Sequence, residues 1–90
     1  MTQVYISSTA KKQLKKAPVF IVQKLFDWID TLSTIGLLEA RKLKGLHDEP
    51  LQGKRKGQRS IRLNKQWRAI YQEHHEHIEI EVLKVTPHDY

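Results

Sequence analysis

Apolar and polar positions divide this chain into a helical first half and a strand-rich second half. Thr2 to Ile6 has the composition of a short edge strand. Ser7, Ser8 and Thr9 offer an N-cap for a polar helix from Ala10 to Lys16, with the thin apolar stripe Ala10, Leu14 and Ala17. Pro18 marks a break and a restart, since proline suits a helix's first turn. Phe20, Ile21, Val22, Leu25, Phe26, Ile29 and Leu32 then recur at helical spacing. Trp28 is expected at the core rim. The second helix is expected to end at Ser33-Thr34-Ile35-Gly36, with one or two further turns over Leu37 to Leu43 that Gly45 stops. Leu46 to Gly53 reads as a loop or irregular extended segment, with Glu49 held extended by Pro50.

The period then changes. Arg59–Leu63 and Trp67–Gln72 read as a strand pair around Asn64-Lys65-Gln66. Glu73 to His77 reads as a turn. Ile78, Ile80 and Val82 alternate with Glu79 and Glu81, apolar side in, and the strand continues through Val85. Segregated helices and strands predict an α+β fold, an N-terminal strand and a helical hairpin packed on a small antiparallel sheet. No repeat or linker divides residues 1–90, so a single domain is expected.

Charge sharpens the picture. The formal net charge is +6, and ten of the 16 Lys and Arg residues fall between Arg41 and Arg68. Clustered positive charge draws polyanions by counterion release, so the expected partners are RNA, DNA or an acidic protein segment. Lys54, Arg55, Lys56 and Arg59, then Lys65, are the candidate RNA contacts. There is no cysteine, so no disulfide framework is expected. No apolar run has membrane-spanning length and Met1 to Ile6 lacks signal-peptide character, so no membrane association and a cytoplasmic location are expected.

The residue types that carry chemistry are Glu49, Arg62, Arg68, His88 and Tyr90. RNA is cut without a metal when its own 2′-hydroxyl attacks the adjacent phosphorus. That reaction needs a base at the 2′-oxygen, cations at the phosphate oxygens and an acid at the leaving 5′-oxygen. Glu49 or His88 suits the base. Arg62 and Arg68, alternating on strands, suit the phosphorane. Tyr90 or His88 suits the acid, or Tyr90 stacks on a base. Each also has a plainer reading: Glu49 solvated, Arg68 paired with Glu79 or Glu81 across the sheet, and His88 to Tyr90 a frayed end. His74-His75-x-His77 is read as a polar turn and not a metal site. No phosphate-binding glycine loop, zinc finger or helix-turn-helix spacing is present, and no metal or cofactor is expected.

These residues resemble the RelE/ParE superfamily of bacterial type II toxins over nearly the whole length. Ala40-Arg41-Lys42-Leu43-Lys44-Gly45-Leu46 is similar to the RelE segment before its basic strands. Glu49-Pro50-Leu51, Gly57, Ser60, Arg62 and Arg68-Ala69-Ile70-Tyr71 follow the order and spacing of the YoeB branch, and His88-Asp89-Tyr90 resembles its ending. The resemblance implies a helical hairpin on a small antiparallel sheet and a ribosome-dependent mRNA endonuclease that cuts A-site codons. It implies Glu49 as base, Arg68 with Arg62 at the scissile phosphate, and His88 and Tyr90 as acid and stacking groups. Lys84 stands where RelE proper has an active-site arginine. Asp89 intervenes where the YoeB ending has histidine and tyrosine adjacent, so either His88 or Asp89 takes the histidine's place. The implied partners are a cognate antitoxin, the ribosome and mRNA, with operator DNA reached only through the antitoxin. A ParE-like DNA gyrase inhibitor and a non-catalytic RNA- or ribosome-binding module are the competing readings; the joint presence of Glu49, Arg68, His88 and Tyr90 argues against the first.

Overall fold

A computed structural model describes residues 3–74 and 79–87. Strand β1 (Gln3–Ile6) leads into helices α1 (Ser8–Lys16) and α2 (Val19–Ala40), followed by strands β2 (Glu49–Pro50), β3 (Arg59–Arg62), β4 (Trp67–His74) and β5 (Glu79–Pro87). The five strands form one sheet in the order β1-β5-β4-β3-β2. This is the expected α+β hairpin-on-sheet fold. β2 to β5 pair antiparallel, while β1 joins the β5 edge in parallel and makes the sheet mixed. A helical crossover on one face lets the first strand return beside the last in parallel.

The core follows from two periods meeting. Ile21, Leu25, Trp28 and Leu32 line one stripe of α2 and are buried against Ile61, Leu63, Ala69, Tyr71, Ile80, Val82 and Val85 of the sheet. Each buried Leu, Ile and Val among them contributes about 1.5–3 kcal/mol. Trp28 is 2% exposed, so it lies inside the core and not at its rim. Its ring meets Tyr71 at 5.0 Å between centroids, tilted by 50°. Phe20 and Phe26, expected on the buried stripe, remain exposed at 58% and 46%. The sheet covers one side of the helix, and a stripe that wide exceeds what one layer hides.

Gly36 interrupts α2 where the pattern placed the helix end. It breaks the helical geometry at φ 82°, and one more turn carries Leu37 and Ala40 back into the core. A side chain would oppose that left-handed conformation. The helix therefore stops at Ala40, before Gly45, which lies inside a separate short 3-10 turn, Lys44–Leu46.

A bulge interrupts the expected alternation of β5. Ile70 faces Lys84 but Tyr71 faces Val82, so Leu83 is an extra residue. Val82 and Val85 then both reach the core, and Lys84 turns to the opposite face. Without the bulge, Lys84 would share the side of Ile80 and Val82. Helix α1 meets the backbone groups here. Ser7 Oγ accepts from the Ala10 amide at 3.0 Å as N-cap and donates to the Leu83 carbonyl at 2.9 Å. Gln13 Oε1 accepts from the Val85 amide at 2.7 Å. β1 pairs only with Glu79 to Val82, and α1 covers the next part of that edge. Glu73 and His74, expected in a turn, extend β4, while His75 and His77 lie outside the described residues.

Ser7→Ala removes both the cap and the bulge contact. It should cost about 1–2 kcal/mol, read from urea midpoints. Ser7→Asp should recover only part of this, because a carboxylate accepts from Ala10 but cannot donate to Leu83.

Candidate functional site

Cross-strand register places the candidate residues by face, since directly opposed residues project to the same side. Glu49 opposes Ser60, Ser60 opposes Ile70, and Ile70 opposes Lys84. Glu49 and Lys84 are thus the two ends of one row across four strands. Arg62 opposes Arg68, and Arg68 opposes Thr86, forming the next row. Both rows lie on the side away from α1 and α2. Ile70 is buried yet stands apart from the hydrophobic cluster beneath the helices, as that placement requires. Glu49, Arg62, Arg68 and Lys84 therefore share the outer face of the sheet.

Directly opposed Cβ atoms such as those of Arg62 and Arg68 stand about 4.5–5.5 Å apart, and diagonal pairs such as Glu49 with Arg62 about 7–8 Å. Like charges directly opposed destabilise a sheet unless an anion lies between them. Arg62 is partly held, its Nε donating to the Asn64 carbonyl at 3.3 Å. The Arg68 side chain has no hydrogen bond or ion pair among the described residues. Its register partners are Arg62 and Thr86, and the Glu81 carboxylate meets His74 instead. Its guanidinium remains available to a bidentate oxyanion.

Arg59 is placed differently from the other expected RNA contacts. It opposes Tyr71, on the helix side of the sheet, and its Nε donates to Asp48 Oδ1 at 2.5 Å. The Asp48 side chain is 2% exposed, and a carboxylate buried to that extent needs such partners. The Tyr71 hydroxyl donates to Asp48 Oδ2 at 2.5 Å, and Arg41 reaches Tyr71 at 3.5 Å and Glu73 at 3.2 Å. The sequence reading missed Arg41, Asp48, Tyr71 and Glu73 as a group. The one available signal was alternation: if Glu49 points out from an extended segment, Asp48 points in. His47, at φ 46° and ψ 48°, makes the left-handed turn that sets this direction.

Burial raises the Tyr71 phenol to about 12; the hydrogen bond from Arg41 opposes the shift and Asp48 adds to it. Burial acts to lower Arg41, but its hydrogen bond to Tyr71 and the negative charges of Asp48 and Glu73 outweigh it, so the guanidinium is held more firmly protonated.

The remaining candidates surround the outer face. Gly53 and Gly57, both at positive φ, bracket a basic loop with a 3-10 turn over Gly53–Arg55. Lys54 and Lys56 are exposed, while Arg55 donates to Gln58 at 3.2 Å. Lys65 is exposed in the turn between β3 and β4. His88 and Tyr90 lie outside the described residues. Among the described residues no group of three or more metal-binding side chains occurs; His74 instead meets Glu81 at 3.0 Å.

A helical hairpin on a five-stranded sheet, with a basic open face, defines the architecture of a small class of α+β proteins. Solved structures place the chain within it: it has the fold of the RelE/ParE-superfamily toxins. The YoeB/ParE toxin from Agrobacterium tumefaciens matches with TM-score 0.75 at 18% identity, over 97% of this chain and 99% of that chain. YafQ from E. coli matches with TM-score 0.75 at 21% identity, over 98% and 96%. The archaeal RelE–RelB complex from Pyrococcus horikoshii matches with TM-score 0.73 at 22% identity, over 96% and 93%. No protein-family model and no curated protein sequence matches the chain.

Asp48→Asn should destabilise the fold by about 2–4 kcal/mol, because Arg59 loses its counter-charge. Tyr71→Phe should cost about 1–3 kcal/mol, both read by denaturant titration. A phenol raised to about 12 contributes stability that is complete below pH 10 and lost as pH rises through 12. The stability difference between wild type and Tyr71→Phe should therefore shrink over that window.

Proposed function

We propose that the chain is the toxin of a type II toxin–antitoxin pair. It acts as an endoribonuclease that cuts mRNA in the ribosomal A site without a metal and so stops translation in the cytoplasm. The observation that carries this reading is the shared outer face of Glu49, Arg62, Arg68 and Lys84. A basic fold of this kind without nuclease chemistry has no need for two opposed arginines beside an exposed carboxylate. The fold shared with YoeB, YafQ and RelE toxins, and the solution of one such neighbour as a RelE–RelB complex, support the toxin reading and an antitoxin partner.

In this mechanism Glu49 takes the proton of the 2′-hydroxyl as the 2′-oxygen bonds to phosphorus. Arg68, with Arg62, stabilises the charge that builds on the non-bridging oxygens. The bond from phosphorus to the 5′-oxygen breaks, and His88 or Tyr90 supplies that oxygen's proton, Tyr90 alternatively stacking on a base. The products are a 2′,3′-cyclic phosphate and a 5′-hydroxyl. Lys84 is a further phosphate contact, and Lys54, Arg55, Lys56 and Lys65 meet ribosomal RNA. Arg59 holds Asp48 and acts through the scaffold.

Primer extension on a defined mRNA, with and without translating ribosomes, tests the reading. Cuts in codon register that need ribosomes are expected. Glu49→Gln should slow cleavage about 10²–10⁴-fold and Arg68→Ala about 10²–10³-fold, each with the fold intact. Tyr90→Phe separates proton donation from stacking, since only the first is lost. Cuts without ribosomes keep the nuclease and remove its ribosome dependence. No cuts in either tube turn the reading to a gyrase inhibitor or a binding module.

A further inference from the structure

The outer face of the sheet continues past the arginines toward β1. Tyr71 faces the core, so Gln72 faces outward, and Gln72 opposes Glu81. Glu81 in turn opposes Tyr5 across the parallel pairing of β5 with β1. Val4 and Ile6 pack on the core, which leaves Tyr5 between them to the outer side. Gln72, Glu81 and Tyr5 therefore form one more row of that face. Two observations agree with this placement. His74, the next outward residue of β4, reaches Glu81 at 3.0 Å between Nε2 and Oε1, and Tyr5 is 54% exposed.

An aromatic side chain on a strand gains most by packing on a neighbour. Tyr5 has a glutamate opposite it, and among the described residues its ring meets no other ring and its hydroxyl makes no hydrogen bond. The carboxylate beside it is held in place: His74 meets Oε1, and Oε2 has no partner among the described residues. Arg68 on β4, Lys84 on β5 and Tyr5 on β1 step diagonally over three adjacent strands, each about 4.8 Å from the next. Cations that follow a backbone, leading to an exposed ring, are the two parts of a site for single-stranded nucleic acid. Aromatics on an open sheet face stack bases in this way. Strand propensity alone would account for a tyrosine in β1, but not for the fixed carboxylate beside it or the cations that lead to it.

We propose that Tyr5 and Glu81 form a base-binding subsite for single-stranded RNA, and that it selects guanine. The base stacks on the Tyr5 ring and Glu81 accepts from its Watson–Crick edge. An ionised carboxylate can only accept. Guanine has two adjacent N–H donors on that edge, whereas adenine, cytosine and uracil each set an acceptor beside their donor. The strand runs back over Lys84 to Arg68, so the guanine lies further along the RNA than the phosphate at Arg68. That this phosphate is the one cut rests on the nuclease reading above; the base subsite itself does not.

The test uses uncleavable 2′-O-methyl oligonucleotides of about nine uridines, with the central base kept or replaced by guanine, adenine or cytosine. Each is titrated into the full-length protein and read by fluorescence anisotropy. The guanine strand is expected to bind about tenfold tighter than the all-uridine strand. Tyr5→Ala should weaken it by about tenfold, and Tyr5→Phe should preserve it, since stacking needs only the ring. Glu81→Gln should remove the preference for guanine and leave the all-uridine strand bound as before. Phe20→Ala, at a comparably exposed aromatic of α2, should change nothing. Equal binding of the four strands, no saturable binding of any, undiminished binding by Tyr5→Ala, or a guanine preference that survives Glu81→Gln would each overturn the proposal. No ribosome is present and the strands cannot be cut. Guanine-selective binding by a protein that never cleaves mRNA would therefore refute the nuclease and keep the subsite, and ribosomal cleavage without this binding would do the reverse.

Discussion

Asp48 is an ionisable side chain with almost no access to water, held by Arg59 on one oxygen and by Tyr71 on the other. A buried carboxylate is costly unless its partners are in place, and its loss leaves theirs unmatched. This makes the contact a switch between one arrangement of the β2 segment and none. β2 has two residues and cannot hold itself to the sheet by pairing alone. Asp48 supplies the missing hold. Tyr71 passes it on, since its ring also meets Trp28 of α2. Helix packing, the buried polar cluster and the exposed position of Glu49 are thus linked through one side chain.

The two faces of the sheet answer to opposite demands. On the helix side, charges are matched: Arg59 with Asp48, and Arg41 with Glu73. On the outer side, Arg62 and Arg68 oppose each other, with no acidic side chain paired to either among the described residues. A fold selected only for stability would avoid that pair. Glu49 stands on the same face, and the bulge at Leu83 adds Lys84 to it. Ser7 makes the bulge tolerable by occupying the Leu83 carbonyl while it caps α1.

Much of this was legible in the residues. The helical stripe Ile21, Leu25 and Leu32, the strand alternation of Ile80 and Val82, the cap at Ser7 and the restart at Pro18 all stand where the pattern placed them. The outward direction of Arg62 and Arg68 follows from the same alternation. These features are local, because each depends on residues a few positions away and on backbone geometry that repeats. The sequence by itself therefore determined the fold class, the order of the elements and the basic character of one sheet face.

Tertiary structure decided the rest. Arg59 turns to the helix side by the same alternation, but only the fold reveals that the buried Asp48, eleven positions earlier, meets it there. Phe20 and Phe26 fit a helical stripe, yet one sheet layer has no surface left to cover them. Lys84 falls on the outer face only because a bulge shifts the phase of β5. The parallel seat of β1, and with it the place of Tyr5 beside Glu81, exist only once distant strands are set side by side. Which partner a charge finds, and which strand lies beside it, depend on contacts between residues far apart in the chain, and no local period encodes those.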